Sequence, residues 1–203
     1  MDSIYSSVVL ASRERPELLK QAIQTSYDLA KFKDNLEIIL RLDKDDVVSL
    51  EMINKEFKNF KNLRIFIGER VGYDYVWMLF RDMFQIAKGY IIIPFADDFS
   101  MCLPNWDEHF LQYKNESAVL GSRARMAFTK KIIDEDEYIR NFTYNMVSAD
   151  TNIFYYAYKK NSYIHVKKFF KKMHKTSSYE WNNRWKLENI SILDNLKWVE
   201  YVR

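Results

Sequence analysis

Short apolar segments alternate with amphipathic helical patterns along residues 1–100. The predicted strands cover 4–11, 36–42, 63–67 and 90–96, and the predicted helices follow Pro16 and cover 50–57 and 76–87. Strands that alternate with helices in this way are typical of parallel sheets whose faces are covered by the connecting helices. The sequence therefore predicts an α/β fold, with a mostly parallel central sheet and helices on both faces.

The pattern is weaker after Trp106, and the predicted elements are shorter. We expect helices at 106–113, 166–173 and 179–189, a strand at 118–120, a loop at 134–137, and strand-like segments at 152–158 and 190–202. No repeat, low-complexity segment or linker rich in proline, glycine and serine divides the chain. Residues 1–203 are therefore expected to form a single domain.

The composition is that of a globular protein and indicates no particular charged partner. Hydrophobic residues make up 48% of the chain, and the net charge is +3. Cys102 is the only cysteine, so no intrachain disulfide can form, which favours a reducing compartment and a cytoplasmic location. The first residues contain no basic segment ahead of an apolar one, so a signal peptide is not expected.

Polar side chains follow each of the four predicted strands. They are Ser12, Arg13, Glu14 and Arg15 after the first strand, Asp43, Asp45 and Asp46 after the second, Glu69 and Arg70 after the third, and Asp97 and Asp98 after the fourth. Since ligands of open α/β sheets bind at the carboxyl ends of the strands, these groups predict a cleft with charges of both signs. Carboxylates can accept hydrogen bonds from a base or ribose and arginines can face phosphates, so the cleft suits a nucleotide.

The pair Asp97 and Asp98 directly follows a buried apolar run, where carboxylates are costly to desolvate unless a cation accompanies them. The simplest such cation is a divalent metal ion that also holds a phosphate. No glycine precedes Gly68, which excludes a dinucleotide-binding fingerprint or a P-loop after the first strand and disfavours nucleotidyltransferases with a glycine-rich loop there. Without such a backbone cradle, a bound diphosphate would depend on the metal for its charge.

Four segments in a fixed order resemble those of a known family. They are the first strand with its arginine–proline turn at 8–16, the second strand with its aspartate at 36–43, Ala96-Asp97-Asp98, and Leu103-Pro104-Asn105-Trp106-Asp107. Across residues 1–115 they resemble the glycosyltransferases of GT-A fold, close to the family 2 type. The resemblance implies a metal-dependent transferase that uses Mn²⁺ or Mg²⁺ and a nucleotide sugar, which we expect to be a UDP-sugar. It also implies a donor-binding half at 1–115 and an acceptor-binding half at 116–203.

The same resemblance implies roles for individual residues. Asp43 would bind the base of the donor, and Ser12, Arg13 and Arg15 would lie around the nucleotide. Ala96 stands where the first aspartate of the family's metal-binding Asp-x-Asp motif would be. Because adjacent residues of an extended chain point to opposite sides, we expect Asp98 to bind the metal and Asp97 to bind the ribose or sugar hydroxyls.

An inverting enzyme of this kind needs a base that deprotonates the acceptor hydroxyl, and in this family the base is a carboxylate of the second half. Glu180 is the first candidate and Asp150 the second. Trp181 and Trp185 lie four residues apart and would present a face for sugar stacking, or else belong to the core. The acceptor is expected to be a saccharide, a lipid-linked molecule or a protein.

Structural roles compete with these functional ones. Asp43, Asp45 and Asp46 are also suited to capping the next helix, and Arg13 and Arg15 are also suited to pairing with Glu14 and Glu17. His109, His165 and His174 are further metal-ligand candidates, with ordinary surface or core positions as the alternative.

The segment 155–175 contains seven lysines and no acidic residue. As a basic amphipathic helix it would have a solvated face, contact an anionic membrane peripherally, or bind nucleic acid. A non-catalytic nucleic-acid-binding module is therefore one competing function, and a degenerate GT-A domain that binds nucleotide without chemistry is another. For the transferase itself, nucleic acid is not an expected partner.

Overall fold

The computed structural model describes residues 3–71, 76–122, 125–141, 153, 156–173 and 199–201. The strands are β1 (Ser6–Ser12), β2 (Leu36–Asp43), β3 (Leu63–Gly68), β4 (Ile91–Ala96), β5 (Phe99–Met101), β6 (Val119–Ser122), β7 (Arg125–Thr129), β8 (Tyr163–His165), β9 (Phe170–Lys172) and β10 (Val199–Tyr201). The helices are α1 (Pro16–Asp28), α2 (Val47–Glu56), α3 (Val76–Ile86), α4 (Trp106–Leu111), α5 (Lys130–Glu135) and α6 (Glu137–Arg140).

Eight of the described strands form one sheet, in the order β10-β3-β2-β1-β4-β7-β6-β8. The central strands β3, β2, β1 and β4 are all parallel to one another, whereas β7 and β10 pair antiparallel with their neighbours. A separate two-stranded sheet joins β5 to β9. The α/β fold with a mostly parallel central sheet is therefore confirmed.

The core lies on both faces of the sheet, because successive side chains of a strand point to opposite sides. In β1, Val8 and Leu10 pack on the side of α1, α2 and α4, and Val9 and Ala11 pack on the side of α3, α5 and α6. Every residue of β1 and β2 is buried. Helices on both faces of the sheet are thus confirmed as well.

The complete burial of β2 requires that its charged residues be paired within the protein. The Glu37 carboxylate accepts hydrogen bonds from Ser7 Oγ at 2.7 Å, Arg64 Nη1 at 2.9 Å and the backbone N–H of Lys88 at 3.0 Å. A buried carboxylate with several donors is stabilised in its charged form. The apolar residues that alternate along 36–42 therefore form one face of β2, and the other face of β2 is buried as well.

The first two residues of α4 attach this helix to the last turn of α1 and to the chain that follows α1. Trp106 is buried, and its indole Nε1 donates to the backbone oxygen of Ser26 at 2.9 Å. Asp107 is also buried and accepts hydrogen bonds from the backbone N–H groups of Lys31 and Phe32, each at 2.8 Å. The proline–tryptophan–aspartate segment noted in the sequence therefore has a structural role.

The prediction of a helix at 166–173 is wrong. Residues Phe170–Lys172 form β9, which pairs antiparallel with β5, and Val166–Phe169 continue from β8 without helical structure. Val166 and Phe169 are buried as the apolar stripe predicted, but they lie in a segment without helical structure. The lysine-rich segment is therefore no amphipathic helix at these positions, and peripheral membrane contact through such a helix loses its basis. Among the described residues, no helix has the length and apolar character needed to cross a membrane.

Two other assignments in the second half are also wrong. The loop expected at 134–137 is instead occupied by the end of α5 and the beginning of α6, where the Asp136 side chain caps α6 by accepting from the Ile139 N–H at 3.1 Å. The strand-like segment at 152–158 is helical at 153 and from 156 onward. The segment at 190–202 is expected to be strand-like, and the part of it that the structure describes is the strand β10.

We predict that Asp107→Ala lowers the free energy of unfolding by about 2–3 kcal/mol, because the backbone N–H groups of Lys31 and Phe32 lose their buried acceptor. The neighbouring Glu108→Ala, which removes only a half-exposed ion pair with Lys31, should change it by less than about 1 kcal/mol. Urea denaturation of both variants tests this contrast. Equal effects of the two substitutions would contradict a structural role for Asp107.

Candidate active site at the carboxyl edge of the sheet

The polar residues that follow the central strands lie at one edge of the sheet. The strand registers pair Ala11 with Ala96, Ser12 with Leu42, and Asp43 with Gly68. The first, second and fourth strands therefore end side by side, as the sequence predicted. This edge carries Ser12, Arg13, Arg15, Asp43, Asp97 and Asp98, the donor-site and metal-site residues expected from the resemblance.

Asp97 is buried and hydrogen-bonded to Ser12 at the end of β1 and to Arg15 in the segment that follows. Its carboxylate accepts from Ser12 Oγ at 2.8 Å and lies 3.5 Å from Arg15 Nη1. Burial raises the pKa of Asp97 to about 6, although the positive charge of Arg15 and the Ser12 hydrogen bond act in the opposite direction. Ser12, Arg15 and Asp97 are thus brought together into one cluster.

Asp98 is in a different environment, although it is adjacent to Asp97 in the chain. Its side chain is buried, and neither carboxylate oxygen accepts a hydrogen bond from the part of the chain that the structure describes. The ammonium of Lys172 lies 3.7 Å from Oδ2, beyond hydrogen-bond distance. Buried carboxylates without donors are rare in folded proteins, and where they occur a bound ion often supplies the missing partner.

The carboxylate oxygens of Asp98 suit a hard divalent ion such as Mn²⁺ or Mg²⁺, because such ions prefer oxygen ligands. Within the described residues, no group of three or more histidine, cysteine, aspartate or glutamate side chains could hold a metal ion.

A second cluster surrounds Asp43 at the end of β2. Asp43 Oδ1 accepts from Arg41 Nη1 at 3.0 Å, and Oδ2 accepts from Arg13 Nη1 at 3.1 Å. Arg13 also makes a two-pronged pair with Asp45, at 2.6 and 2.9 Å. Burial raises the pKa of Asp43 to about 6, against the opposing charges of Arg41 and Arg13. Asp45, whose side chain is half-exposed, is the carboxylate of this cluster that faces solvent.

Sequence reasoning missed Arg41, although a signal for it was present. Arg41 is an arginine inside the otherwise apolar run of β2, and its side chain is fully buried. Its guanidinium donates to the backbone oxygens of Leu42 and Glu69 as well as to Asp43. Gly68 makes room for it, since an added Cβ would lie 2.9 Å from Arg41 Nη2.

The structural alternatives for two residues are also observed. Asp46 caps α2, accepting from the Ser49 N–H at 3.3 Å, and it accepts from the backbone N–H of Glu14 at 2.9 Å. Glu14 adopts a φ of 54°, so the chain turns sharply between β1 and α1. Arg13 pairs with Glu14 at 2.9 Å in addition to its two aspartates. These contacts hold the two segments that follow β1 and β2 against each other.

The remaining candidates from the sequence are five residues that the structure does not describe, together with His109 and His165. Glu180, Asp150, Trp181, Trp185 and His174 are outside the described residues. His109 and His165 line a cavity of about 170 Å³ together with Tyr113 and Lys167. None of the aspartates at the strand ends lines that cavity, so the structure does not bring these two histidines to Asp98.

No protein-family model matches the chain, and no curated protein matches its sequence. Solved structures are nevertheless similar. Residues 1–349 of S. aureus TarS in complex with UDP-GlcNAc superpose with a TM-score of 0.68 at 11% identity, over 87% of this chain and 60% of that one. The mannosyltransferase PcManGT from Pyrobaculum calidifontis, in complex with GDP-Man and Mn²⁺, gives a TM-score of 0.54 at 10% identity, over 66% of this chain and 47% of that one. Both are GT-A glycosyltransferases.

The chain has a GT-A fold. It spans 60% of the TarS 1–349 structure and 37% of a longer TarS structure, which superposes with a TM-score of 0.61. A likeness at this level of identity is a likeness of fold, and function depends on the site that the fold carries. In this chain, the candidate site is the edge that contains Asp43, Asp97 and Asp98.

We predict that Asp97→Asn stabilises the protein at neutral pH. The folded-state pKa of about 6 lies above the ordinary value of 3.8, so the native state loses stability as the pH rises from about 4 through 6 and the buried carboxyl ionises. The neutral amide removes this cost. The variant's advantage in free energy of unfolding over the wild type should therefore grow by about 2–3 kcal/mol between pH 4 and pH 7.5. A difference that does not change with pH, measured by urea denaturation, would contradict the assignment.

Proposed function

We propose that this chain is a glycosyltransferase that moves a sugar from a nucleoside-diphosphate donor to an acceptor and depends on a divalent metal ion at Asp98. The observation that carries the proposal is the buried Asp98 carboxylate, neither oxygen of which accepts a hydrogen bond from the described residues. A buried acid without donors is expected to have a cation as its ligand. Its position at the carboxyl edge of a GT-A sheet supports a role at the donor's diphosphate.

The proposed donor is a UDP-sugar. TarS has been solved with UDP-GlcNAc and with UDP, and PcManGT with GDP-Man, so the fold accommodates nucleotides of this kind in those proteins. We place the ribose or sugar hydroxyls at Asp97, which Ser12 and Arg15 hold in position. Asp43 is proposed to bind the base, either directly or through the guanidinium of Arg13, with which it is hydrogen-bonded.

The proposed metal ion is Mn²⁺ or Mg²⁺. When bound, it would neutralise the negative charge that develops on the diphosphate leaving group. The residues of the chain itself provide the rest of the electrostatic environment. Arg15 offsets the charge of Asp97, and Arg13 and Arg41 offset the charges of Asp43 and Asp45. With these acids paired to arginines, Asp98 is the acid of this edge whose only cation among the described residues, Lys172, lies beyond hydrogen-bond distance.

We further propose an inverting reaction in which a carboxylate of the second half deprotonates the acceptor hydroxyl. Glu180 is the first candidate for this base and Asp150 the second. The proposed acceptor is a saccharide, a lipid-linked molecule or a protein. Residues 116–203 would form the acceptor-binding half, and 1–115 the donor-binding half.

We predict that Mn²⁺ increases the thermal stabilisation of the wild type by UDP and that Asp98→Asn abolishes this increase. The neutral amide removes the charge that attracts the ion but keeps the shape of the side chain. A thermal-shift series with UDP, GDP and CMP, each with and without Mn²⁺, measures the effect and ranks the bases. At a nucleotide concentration about 100 times Kd, the expected stabilisation is about 2.7 kcal/mol.

Asp34→Asn is the matched control for this series, because Asp34 is exposed and precedes β2, at the opposite end of that strand from Asp43. It should retain the full Mn²⁺-dependent shift. Failure of every nucleotide to stabilise the wild type, with or without Mn²⁺, would contradict the proposal. Salt-dependent binding of oligonucleotides in the same protein would then favour a nucleic-acid-binding module.

We predict that Glu180→Gln lowers the rate of UDP release from the UDP-sugar by about 10²–10⁴-fold, as expected for loss of a general base, while UDP binding stays within about twofold. Asp150→Asn serves as the comparison, since it tests the second candidate under the same conditions. If the rate falls only in Asp150→Asn, the base has been assigned to the wrong residue. A wild type that binds UDP but never releases it from a UDP-sugar, whatever acceptor is supplied, would be a nucleotide-binding GT-A domain without catalysis.

A further inference from the structure

The pairing of β5 with β9 brings a lysine next to the proposed metal-binding acid. Lys172 lies opposite Phe99 in this pairing, and Phe99 is the residue that follows Asp98. The backbone N–H of Met173 donates to the backbone oxygen of Asp98 at 2.8 Å, which fixes the two segments at this point. Lys172 therefore lies beside Asp98 because of strand pairing between distant parts of the chain.

The geometry places the lysine ammonium between the buried acid and solvent. Lys172 Nζ lies 3.7 Å from Asp98 Oδ2, and the Lys172 side chain is 46% exposed whereas that of Asp98 is 2% exposed. The ammonium also lies 5.8 Å from the centroid of the Phe99 ring. At this distance from the carboxylate the ammonium makes an ion pair without a hydrogen bond, so its three N–H groups remain able to bind an anion.

The charges of the two neighbouring acids are compensated in different ways. Asp97 is paired with Arg15 and hydrogen-bonded by Ser12, whereas Asp98 has only the more distant ammonium of Lys172 among the described residues. A metal ion arriving at Asp98 would repel that ammonium, since both are positive. The diphosphate of the proposed donor would bring a negative charge to the same ion, and lysine is a common phosphate ligand.

We propose that Lys172 is a ligand of the donor's diphosphate, held over Asp98 in the absence of ligand and released to the phosphate when a divalent ion occupies the carboxylate. This inference rests on the proposed function, because it assigns a second cation to the same donor site. It makes Lys172 a determinant of both metal affinity and diphosphate affinity, with opposite signs. Removing its charge should favour the ion alone and disfavour the nucleotide.

The test uses Lys172→Met, which keeps much of the side-chain length over Phe99, and Lys172→Arg, which restores a positive charge. Lys171→Met is the matched control, because Lys171 is the adjacent exposed residue of β9 and points to the other side of the strand. Calorimetric titration measures the affinity for Mn²⁺ alone and, separately, for UDP at saturating Mn²⁺. Circular dichroism verifies that each variant is folded.

We expect Lys172→Met to bind Mn²⁺ alone about tenfold more tightly and UDP about tenfold more weakly than the wild type. The substitution removes one repulsive contact between the ammonium and the ion and one attractive contact between the ammonium and the diphosphate. Lys171→Met should remain within about twofold on both measures, and Lys172→Arg should recover most of the UDP affinity. The proposal is overturned if Lys172→Met binds UDP as Lys171→Met does, whatever happens to the affinity for Mn²⁺.

The two proposals fail in different ways. A wild type that binds neither Mn²⁺ nor UDP overturns the proposed function and, with it, the role of Lys172. A wild type that binds UDP equally well without Mn²⁺, and loses this binding in Lys172→Met, overturns the metal assignment but supports Lys172 as the diphosphate ligand. A wild type with Mn²⁺-dependent UDP binding that is unchanged in Lys172→Met leaves the proposed function standing and overturns the role of Lys172.

Discussion

The parallel pairing of β1 with β2 and β4 is the interaction on which the rest of this structure depends. Both faces of these strands are covered, so their side chains are mostly apolar, and many of the charged residues collect at the strand ends. Because the strands run in the same direction, those ends meet at one edge of the sheet. The location of the candidate site therefore follows from the way in which the core is built.

The acids at this edge differ in how their charge is compensated. Asp43 is held between Arg13 and Arg41, and Asp97 is held by Ser12 and Arg15. These contacts within the chain position the side chains of the site before any ligand binds. Asp98 is buried without a hydrogen-bond donor among the described residues, which is the reason to assign the metal to it. The GT-A fold brings these acids to one edge of the sheet, whereas the proposed chemistry is inferred from their side chains.

The first half of the chain could be predicted well from its sequence, and the second half could not. Residues 91–96 are a short continuous apolar run, which is typical of a buried strand, and residues 76–86 have a strong helix periodicity. The stripe of Val166 and Phe169 has too few members to separate a helix from an extended chain, and the pairing of β9 with β5 decided the outcome. The aromatic residues of 152–158 favour a strand by propensity, but packing against the second face of the sheet places 156–159 in a helix.

The sequence by itself determined the class of fold, the edge at which polar groups collect, and the different environments expected for Asp97 and Asp98. These follow from periodicity and from the alternation of side chains, which are local properties. Only the tertiary structure decided that Arg41 is buried against Asp43 and that Lys172 lies beside Asp98. Both contacts depend on how distant segments cover a strand or pair with it. Asp98 therefore has a compensating cation within the protein, which no motif around it indicated.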